Sequence, residues 1–202
     1  MEPSRGDGRY GTGISSGGFM ASQLQVAYSG TFKGAGIAAG PYYCGKGGMI
    51  TGLIACGTGL ISTDPEGIEQ IARRWSAEGR IDPVSNLAGK PVYTYHGTKD
   101  PLVRTSVSDE GVRFYRDFGA RTAYHDTDPA GHGWPTPNAP LSCGTTFYPF
   151  LINCGNDPQG EMLGHWLGQV NAAAATPRAA GTGGGTRAAT TPRSRVRGCG
   201  RS

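Results

Sequence analysis

Three residues able to run acyl-transfer chemistry stand in this chain in the order Ser15, Asp100, His132. Ser15 lies in Gly13-Ile14-Ser15-Ser16-Gly17, a G-x-S-x-G pattern. In that pattern the serine occupies a sharp strand-to-helix turn, and small residues two places either side let neighbouring backbone pass close to it. The next amide, that of Ser16, opens the helix and can face a developing oxyanion. Glycine accounts for 35 of 202 residues, so the pattern arises easily by chance. The residues after it add weight. Met20, Leu24 and Ala27 fall on one helical face with Phe19, Gln23 and Val26 beside them, so a helix is predicted to start just after Ser15. A Gly/Ser-rich loop ahead of an ordinary helix is the competing account of this stretch alone.

The order Ser…Asp…His is that of α/β-hydrolase triads. In that chemistry His132 takes the proton from Ser15 Oγ and returns it to the leaving alkoxide. Asp100 fixes the imidazole tautomer and stabilises the imidazolium. Each residue has a plainer account. Asp100 in Lys99-Asp100-Pro101 suits a turn, and Asp126 and Asp128 are rival acids on the His132 loop. His96 is expected to be a core histidine at a strand end, His125 to lie on a strand and His165 on a solvated helix face. The three together, each at the end of an αβ unit, favour the triad.

The elements that must position them follow from the chain in order. Arg9-Tyr10-Gly11-Thr12 is a poor candidate for the buried strand that should feed Ser15. A helix is predicted over 16–29, and the small apolar run 34–40 suits a buried parallel strand, giving a βαβ unit. Tyr42 and Tyr43 follow at the strand's C-terminal end, where open α/β sheets bind ligands. They are candidate substrate-lining residues, or tyrosines packed under a loop. Asp64-Pro65 marks a helix start, with Ile68, Ile71, Ala72 and Trp75 as its stripe and Gly79 as its stop. Residues 91–96 are the best strand. An amphipathic helix is predicted over 107–118, a strand over 121–125 and a Pro-rich loop around Cys143. Asn156-Asp157-Pro158 opens a last helix with Met162, Leu163, Trp166 and Leu167. The fold class is α/β with a mostly parallel sheet.

Composition bounds the rest. The length suits one domain with a tail, and 37% hydrophobic residues make a modest core. No apolar run approaches the roughly 18 residues of a membrane span, and residues 1–7 hold no signal-peptide core. That start fits a mature form, a cytosolic protein or a cropped or mis-started reading frame. The net charge is +4, but residues 176–202 hold six of the 19 basic residues and no acid; the remaining 13 face 15 acids, about −2. The basic character therefore belongs to the tail. Residues 172–202 are Ala, Gly, Thr, Pro and Arg with almost no apolar bulk and are expected to be disordered, leaving 1–171 as the catalytic unit. A solvated or out-of-frame tail is favoured over a nucleic-acid binder, because no aromatic is interleaved for stacking. Cys44, Cys56, Cys143 and Cys154 form two locally close pairs, which favours disulfides and an oxidising compartment, with three connectivities open. No His/Cys cluster has zinc spacing, so neither metal nor cofactor is expected.

These residues also carry a resemblance. Gly13-Ile14-Ser15-Ser16-Gly17-Gly18-Phe19-Met20-Ala21, Val26-Ala27-Tyr28-Ser29 and Gly40-Pro41-Tyr42-Tyr43-Cys44 resemble the secreted short-chain-length polyhydroxyalkanoate (PHB) depolymerases whose lipase box is N-terminal. Tyr95-His96-Gly97-Thr98-Lys99-Asp100, Gly131-His132-Gly133-Trp134-Pro135-Thr136, Asn153-Cys154-Gly155-Asn156-Asp157 and Gly160-Glu161-Met162-Leu163 are similar to later blocks of that family. The resemblance spans roughly residues 10–171. It implies a circularly permuted α/β-hydrolase fold, a Ser15/Asp100/His132 triad and an oxyanion hole from the amides of Ser16 and Cys154. It also implies an extracellular enzyme that cleaves poly(3-hydroxybutyrate) to short hydroxyacid oligomers. Such relatives carry a proper elbow strand before the lipase box and further strands after the Met-Leu helix, so a cropped or frame-shifted chain holding about half the sheet is expected. Three alternatives remain: an esterase of another polymer (feruloyl or acetylxylan ester), an inactive polymer-binding fragment using exposed Tyr42, Tyr43 and Trp134, and a nucleic-acid binder acting through the tail. A monomer with a polyester substrate, no specific nucleic acid and no membrane is the expected state.

Overall fold

A computed structural model of the chain describes residues 8–40 and 64–170. Tyr42, Tyr43, Cys44, Cys56 and the 172–202 tail lie outside the described residues. The elements are β1 (Arg9–Ile14), α1 (Ser16–Ala27), β2 (Phe32–Ala38), α2 (Pro65–Ala77), a 3-10 turn (Val84–Leu87), β3 (Pro91–Tyr95), α3 (Thr105–Asp117), β4 (Arg121–His125), three short strands β5 (Trp134–Pro135), β6 (Leu141–Ser142) and β7 (Leu151–Asn153), and α4 (Pro158–Leu167). The four longer strands form one all-parallel sheet in the order β1-β2-β3-β4. Parallel neighbours need crossovers, and α1, α3 and the chain between β2 and β3 provide them. The mostly parallel α/β class expected from sequence is the class found.

Alternation along the strands assigns the two faces. Ala35 and Ile37 of β2 and Val92 of β3 enter a core with Val26 of α1, Ile68 and Ala72 of α2, and Phe114, Tyr115 and Phe118 of the α3 region. Ala38, Tyr93 and Tyr95 point the other way, into a second core with Ala130, Ile152 and Met162 of α4. Gly36 of β2 lies under Met162 and Trp166, where a Cβ would collide with the Met162 sulfur. Trp166 uses that room: its ring stacks on Tyr10 with centroids 4.8 Å apart, and its Nε1–H donates to Ala35 O at 3.2 Å. The helix starts follow the predicted signals. Asp64 accepts from Gly67 N at 3.2 Å and Asp157 from Gly160 N at 3.0 Å, each with Pro at the first helical position.

Three expectations need correction. The segment before Ser15 is a six-residue strand, paired with β2 from Arg9↔Phe32 to Ile14↔Ala38. It lies at the edge of the described sheet with no fully buried residue, so no apolar run announces it. The buried face of α1 is Gly18, Ala21, Ser22, Gln25 and Val26, not the Met20/Leu24/Ala27 face; Met20 is exposed. This helix lies close on a glycine- and alanine-rich strand, so its small residues face inward, and Ser22 is bonded to Tyr115 OH at 2.9 Å. The region around Cys143 is not simply a loop. Its short strands form a second parallel sheet in the order β5-β7-β6.

Candidate active site

Ser15 sits at the junction of β1 and α1 with φ 54° and ψ −122°. Positive φ at a side-chain-bearing residue is strained, and strain of this kind concentrates at functional sites. The surroundings hold it there. Ser15 N donates to Ala38 O, and Phe19 N donates back to Ser15 O, both at 2.9 Å. A Cβ on Gly13 would collide with the Gly17 backbone, so the turn requires glycine at position 13, whereas a Cβ on Gly17 would meet open space. The Ser16 amide stands at the first helical position of α1, where no intrahelical carbonyl precedes it.

Asp100 and His132 come together. Asp100 leaves the turn after β3, and its Oδ1 accepts from the amides of Leu102 at 2.8 Å and Val103 at 3.0 Å. Those two bonds orient the carboxylate so that Oδ2 meets His132 Nδ1 at 2.7 Å. Both side chains are nearly inaccessible, 0% and 5% exposed. In this dry setting the charge-assisted bond is strong and directional. The His132 backbone is fixed as well: its N–H donates to Thr146 Oγ1 at 2.8 Å. With Nδ1 engaged by Asp100, Nε2 is the nitrogen left to serve a nucleophile. Ser15, Asp100 and His132 follow β1, β3 and β4 respectively, so all three lie at the C-terminal edge of one parallel sheet, the edge at which such sheets bind ligands.

The rival residues are engaged elsewhere. Asp128 bonds to Tyr95 OH at 2.9 Å and to Asn156 Nδ2 at 2.6 Å. His96 is buried, with Nδ1 2.8 Å from Ser108 Oγ, and burial lowers its pKa. His125 ends β4 with Nδ1 3.0 Å from Glu161 Oε2. Burial opposes its protonation, but the Glu161 and Asp128 carboxylates outweigh that and raise its pKa. His165 is less free than a solvated face implies, since its Nε2 lies 2.7 Å from Arg121 O.

Other expected site residues land differently. Cys154 follows β7 and is disulfide-bonded to Cys143. Trp134 is not an exposed platform. It is half-buried against the second core, its N–H bonded to Phe150 O at 2.7 Å. A described aromatic ring that does stand against the histidine is Phe150, which is not among the sequence candidates. The Phe150 ring is edge-on to His132 with centroids 6.1 Å apart, and Phe150 itself holds φ 60°. Phe147 and Tyr148 beside it are 68% and 77% exposed. The signal was available as Phe147-Tyr148-Pro149-Phe150, an aromatic run between two cysteines. Among the described residues no His/Cys/Asp/Glu group is arranged to hold a metal, and no helix is long and apolar enough to cross a membrane.

Comparison with known proteins adds three likenesses, while no family model matches the chain. It is 38% identical over 165 residues to a poly(3-hydroxybutyrate) depolymerase of Delftia acidovorans, covering 80% of this chain and 33% of that protein. It is 33% identical over 168 residues to a polyhydroxybutyrate depolymerase of Talaromyces funiculosus, covering 80% of this chain and 48% of that one. Among solved structures, a serine-to-alanine variant of a PHB depolymerase complexed with an R3HB trimer superposes with a TM-score of 0.70 at 32% identity. That match covers 84% of this chain and 54% of the solved one. The chain therefore shares its α/β fold with the PHB depolymerases it matches, aligns with them over four-fifths of its own length, and spans between a third and a half of the length of those curated relatives.

Proposed function

We propose that this chain carries the serine-esterase site of a poly(3-hydroxybutyrate) depolymerase, with Ser15 as nucleophile, His132 as general base and acid, and Asp100 as the group that orients His132. The observation that carries the reading is the 2.7 Å Asp100–His132 bond at the same sheet edge as a serine held at positive φ between strand and helix. Ser15 Oγ adds to the ester carbonyl carbon as His132 Nε2 takes its proton. The tetrahedral oxyanion is stabilised by the Ser16 amide at the N-terminus of α1. Collapse expels the alcohol end of the polymer, which takes the proton from His132 and leaves Ser15 acylated. Water, deprotonated by His132, then releases the hydroxyacid. Asp100 stays ionised throughout and stabilises the imidazolium.

The substrate class comes from the likeness to PHB depolymerases, together with the exposed aromatics Phe147 and Tyr148, which follow Thr146, the residue bonded to the His132 amide. An aliphatic polyester is apolar and offers few hydrogen-bond donors, so such a surface suits it. Extracellular action on insoluble polymer is part of the same reading. The test is clearing of a PHB suspension and release of acid from a soluble 3-hydroxybutyrate trimer, by the chain and by Ser15→Ala. The expected result is turnover by the chain and a loss of about 10⁴-fold or more in the variant. No turnover by either protein overturns the reading. Faster turnover of feruloyl or acetylxylan esters than of the trimer moves the substrate class. A second reading, polymer binding without hydrolysis, is favoured by the same exposed aromatics. It predicts granule binding that survives Ser15→Ala and is lost in Phe147→Ser/Tyr148→Ser.

A further inference from the structure

The geometry points to Asp128 as a positioning residue that locks the loop carrying Asp100 to the loop carrying His132. The inference rests on the triad reading above. Asp128 lies on the segment between β4 and His132, and three parts of the chain converge on it. Its carboxylate Oδ2 accepts from Tyr95 OH at 2.9 Å and from Asn156 Nδ2 at 2.6 Å. Its Oδ1 lies 3.2 Å from His125 Nε2, an ion-pair distance. Its backbone carbonyl accepts twice from one residue, Thr98, at 2.8 Å from the amide and 3.0 Å from the hydroxyl. Tyr95 is the last residue of β3 and Thr98 is two residues before Asp100. Asp128 therefore grips the Asp100 loop at its root and near its tip. Asn156 ties the same carboxylate to the start of α4. One further bond, Lys99 N to Ala130 O at 3.0 Å, completes the seam between the loops.

The residue is built for holding, not for reaction. Its side chain is 14% exposed and both oxygens have partners. Burial opposes its ionisation, but bonds from Asn156, His125 and Tyr95 prevail and hold the carboxyl below its usual range. It is thus a fixed anion facing donors on each side. Behind His125 the network continues to Glu161, which accepts from Tyr93 OH at 2.8 Å. The Asp100–His132 bond needs two loops, leaving two different strands, to stay in register within a fraction of an ångström. A misplacement of about 1 Å at a reacting group can cost about 10²-fold in rate. Nothing in Asp128 touches substrate in this account, so its loss acts on the chemical step through His132 and leaves substrate binding alone.

The test compares the full chain with Asp128→Asn, Tyr95→Phe and Thr98→Val. It reads kcat and KM on soluble 3-hydroxybutyrate trimer, and the low-field proton resonance of the His132–Asp100 bond by NMR. Asp128→Asn is expected to lower kcat about 10- to 100-fold with KM within about twofold, and to broaden or erase that resonance. Tyr95→Phe and Thr98→Val each remove one bond to Asp128 and are expected to give smaller losses of the same kind. They carry the test if Asp128→Asn does not fold. Unchanged kcat in the folded variants overturns the proposal, as does a rise in KM alone. Persistence of the resonance in Asp128→Asn, or its absence from the parent chain, also overturns it. The resonance needs no turnover. A parent chain that hydrolyses nothing, yet loses the resonance in the variant, defeats the hydrolase reading and leaves the positioning role standing.

Discussion

At the scale of single residues, the most informative value is the Ser15 backbone at φ 54°. A serine there pays a conformational penalty of about 1–3 kcal/mol, and the strand, helix and Ala38 contact around it hold it in place. Glycine adopts positive φ without steric cost, though it loses more chain entropy on folding. Ser15→Gly is therefore expected to melt above Ser15→Ala by the equivalent of roughly 1 kcal/mol, while both lack the nucleophile. Equal melting temperatures by calorimetry would show that the position carries no strain. Most of this site was legible as residue types. G-x-S-x-G, with an acid after β3 and a histidine after β4, named the three residues that the fold brings to one sheet edge. In the sequence, the preference for Asp100 over Asp128 rests on chain position alone; the bond between Asp100 Oδ2 and His132 Nδ1 depends on which loop turns back over the other, and no residue pattern displays that. The mistaken exposure of Trp134 has the same origin: it packs against the second core, to which β7 contributes Ile152 from 18 residues further along the chain.

At the scale of elements, β4 and α4 meet through charged and polar side chains as well as through the second core. His125 at the end of β4 stands between Glu161 of α4 and Asp128, with the Tyr95 ring 5.3 Å away. Its folded pKa is raised, so its contribution is fully present below the unfolded value of about 6.5 and fades as pH climbs through the folded value. The Asp128 carboxyl has the opposite sign: its pKa is lowered, so its contribution is lost as pH falls through the folded value. The melting temperature of His125→Gln should thus lie furthest below that of the parent near pH 5.5, with the gap closing toward pH 9. A gap that is constant with pH, or that widens at high pH, would sink the assignment. Element existence was largely legible because buried parallel strands leave short apolar or β-branched runs and amphipathic helices leave a period of 3.6. β1 and α1 show where that signal fails. β1 pairs at the edge of the described sheet and buries no residue fully, and α1 docks through Gly18, Ala21 and Ser22, so the largest apolar residues do not mark the inner face. The short strands β5 to β7 have too few residues for any period, and the chain folds them through pairing with β7.

At the scale of the described molecule, the two faces of the sheet are supported unequally. One face is closed by α1, α2 and α3 around Phe114, Tyr115 and Ile68, none of which depends on the Cys143 region. The other is closed by α4 and by the strap from Gly131 to Asn156, which supplies Ile152 to the core and holds His132 through Thr146. Of the strap's large apolar side chains only Ile152 is fully buried, and the strap is cross-linked by Cys143–Cys154, eleven residues apart, with Gly131 N bonded to Cys143 O at 2.9 Å. Closing a loop of this size stabilises by about 3 kcal/mol in the chain-entropy account. Because the strap and the helical face share few contacts, loss of the bridge should open the strap before the sheet melts, as a separate cooperative unit. In Cys143→Ala/Cys154→Ala, the temperature of half-inactivation is therefore expected to fall below the midpoint of far-ultraviolet circular dichroism, while in the parent chain the two coincide. The mobile strap would then release His132 from Thr146 while Asp100 stays fixed by Leu102 and Val103, so activity is lost with the sheet still folded. Coincident midpoints in the double variant would show instead that strap and sheet unfold as one body, and that the bridge stabilises the fold as a whole and not the histidine's placement.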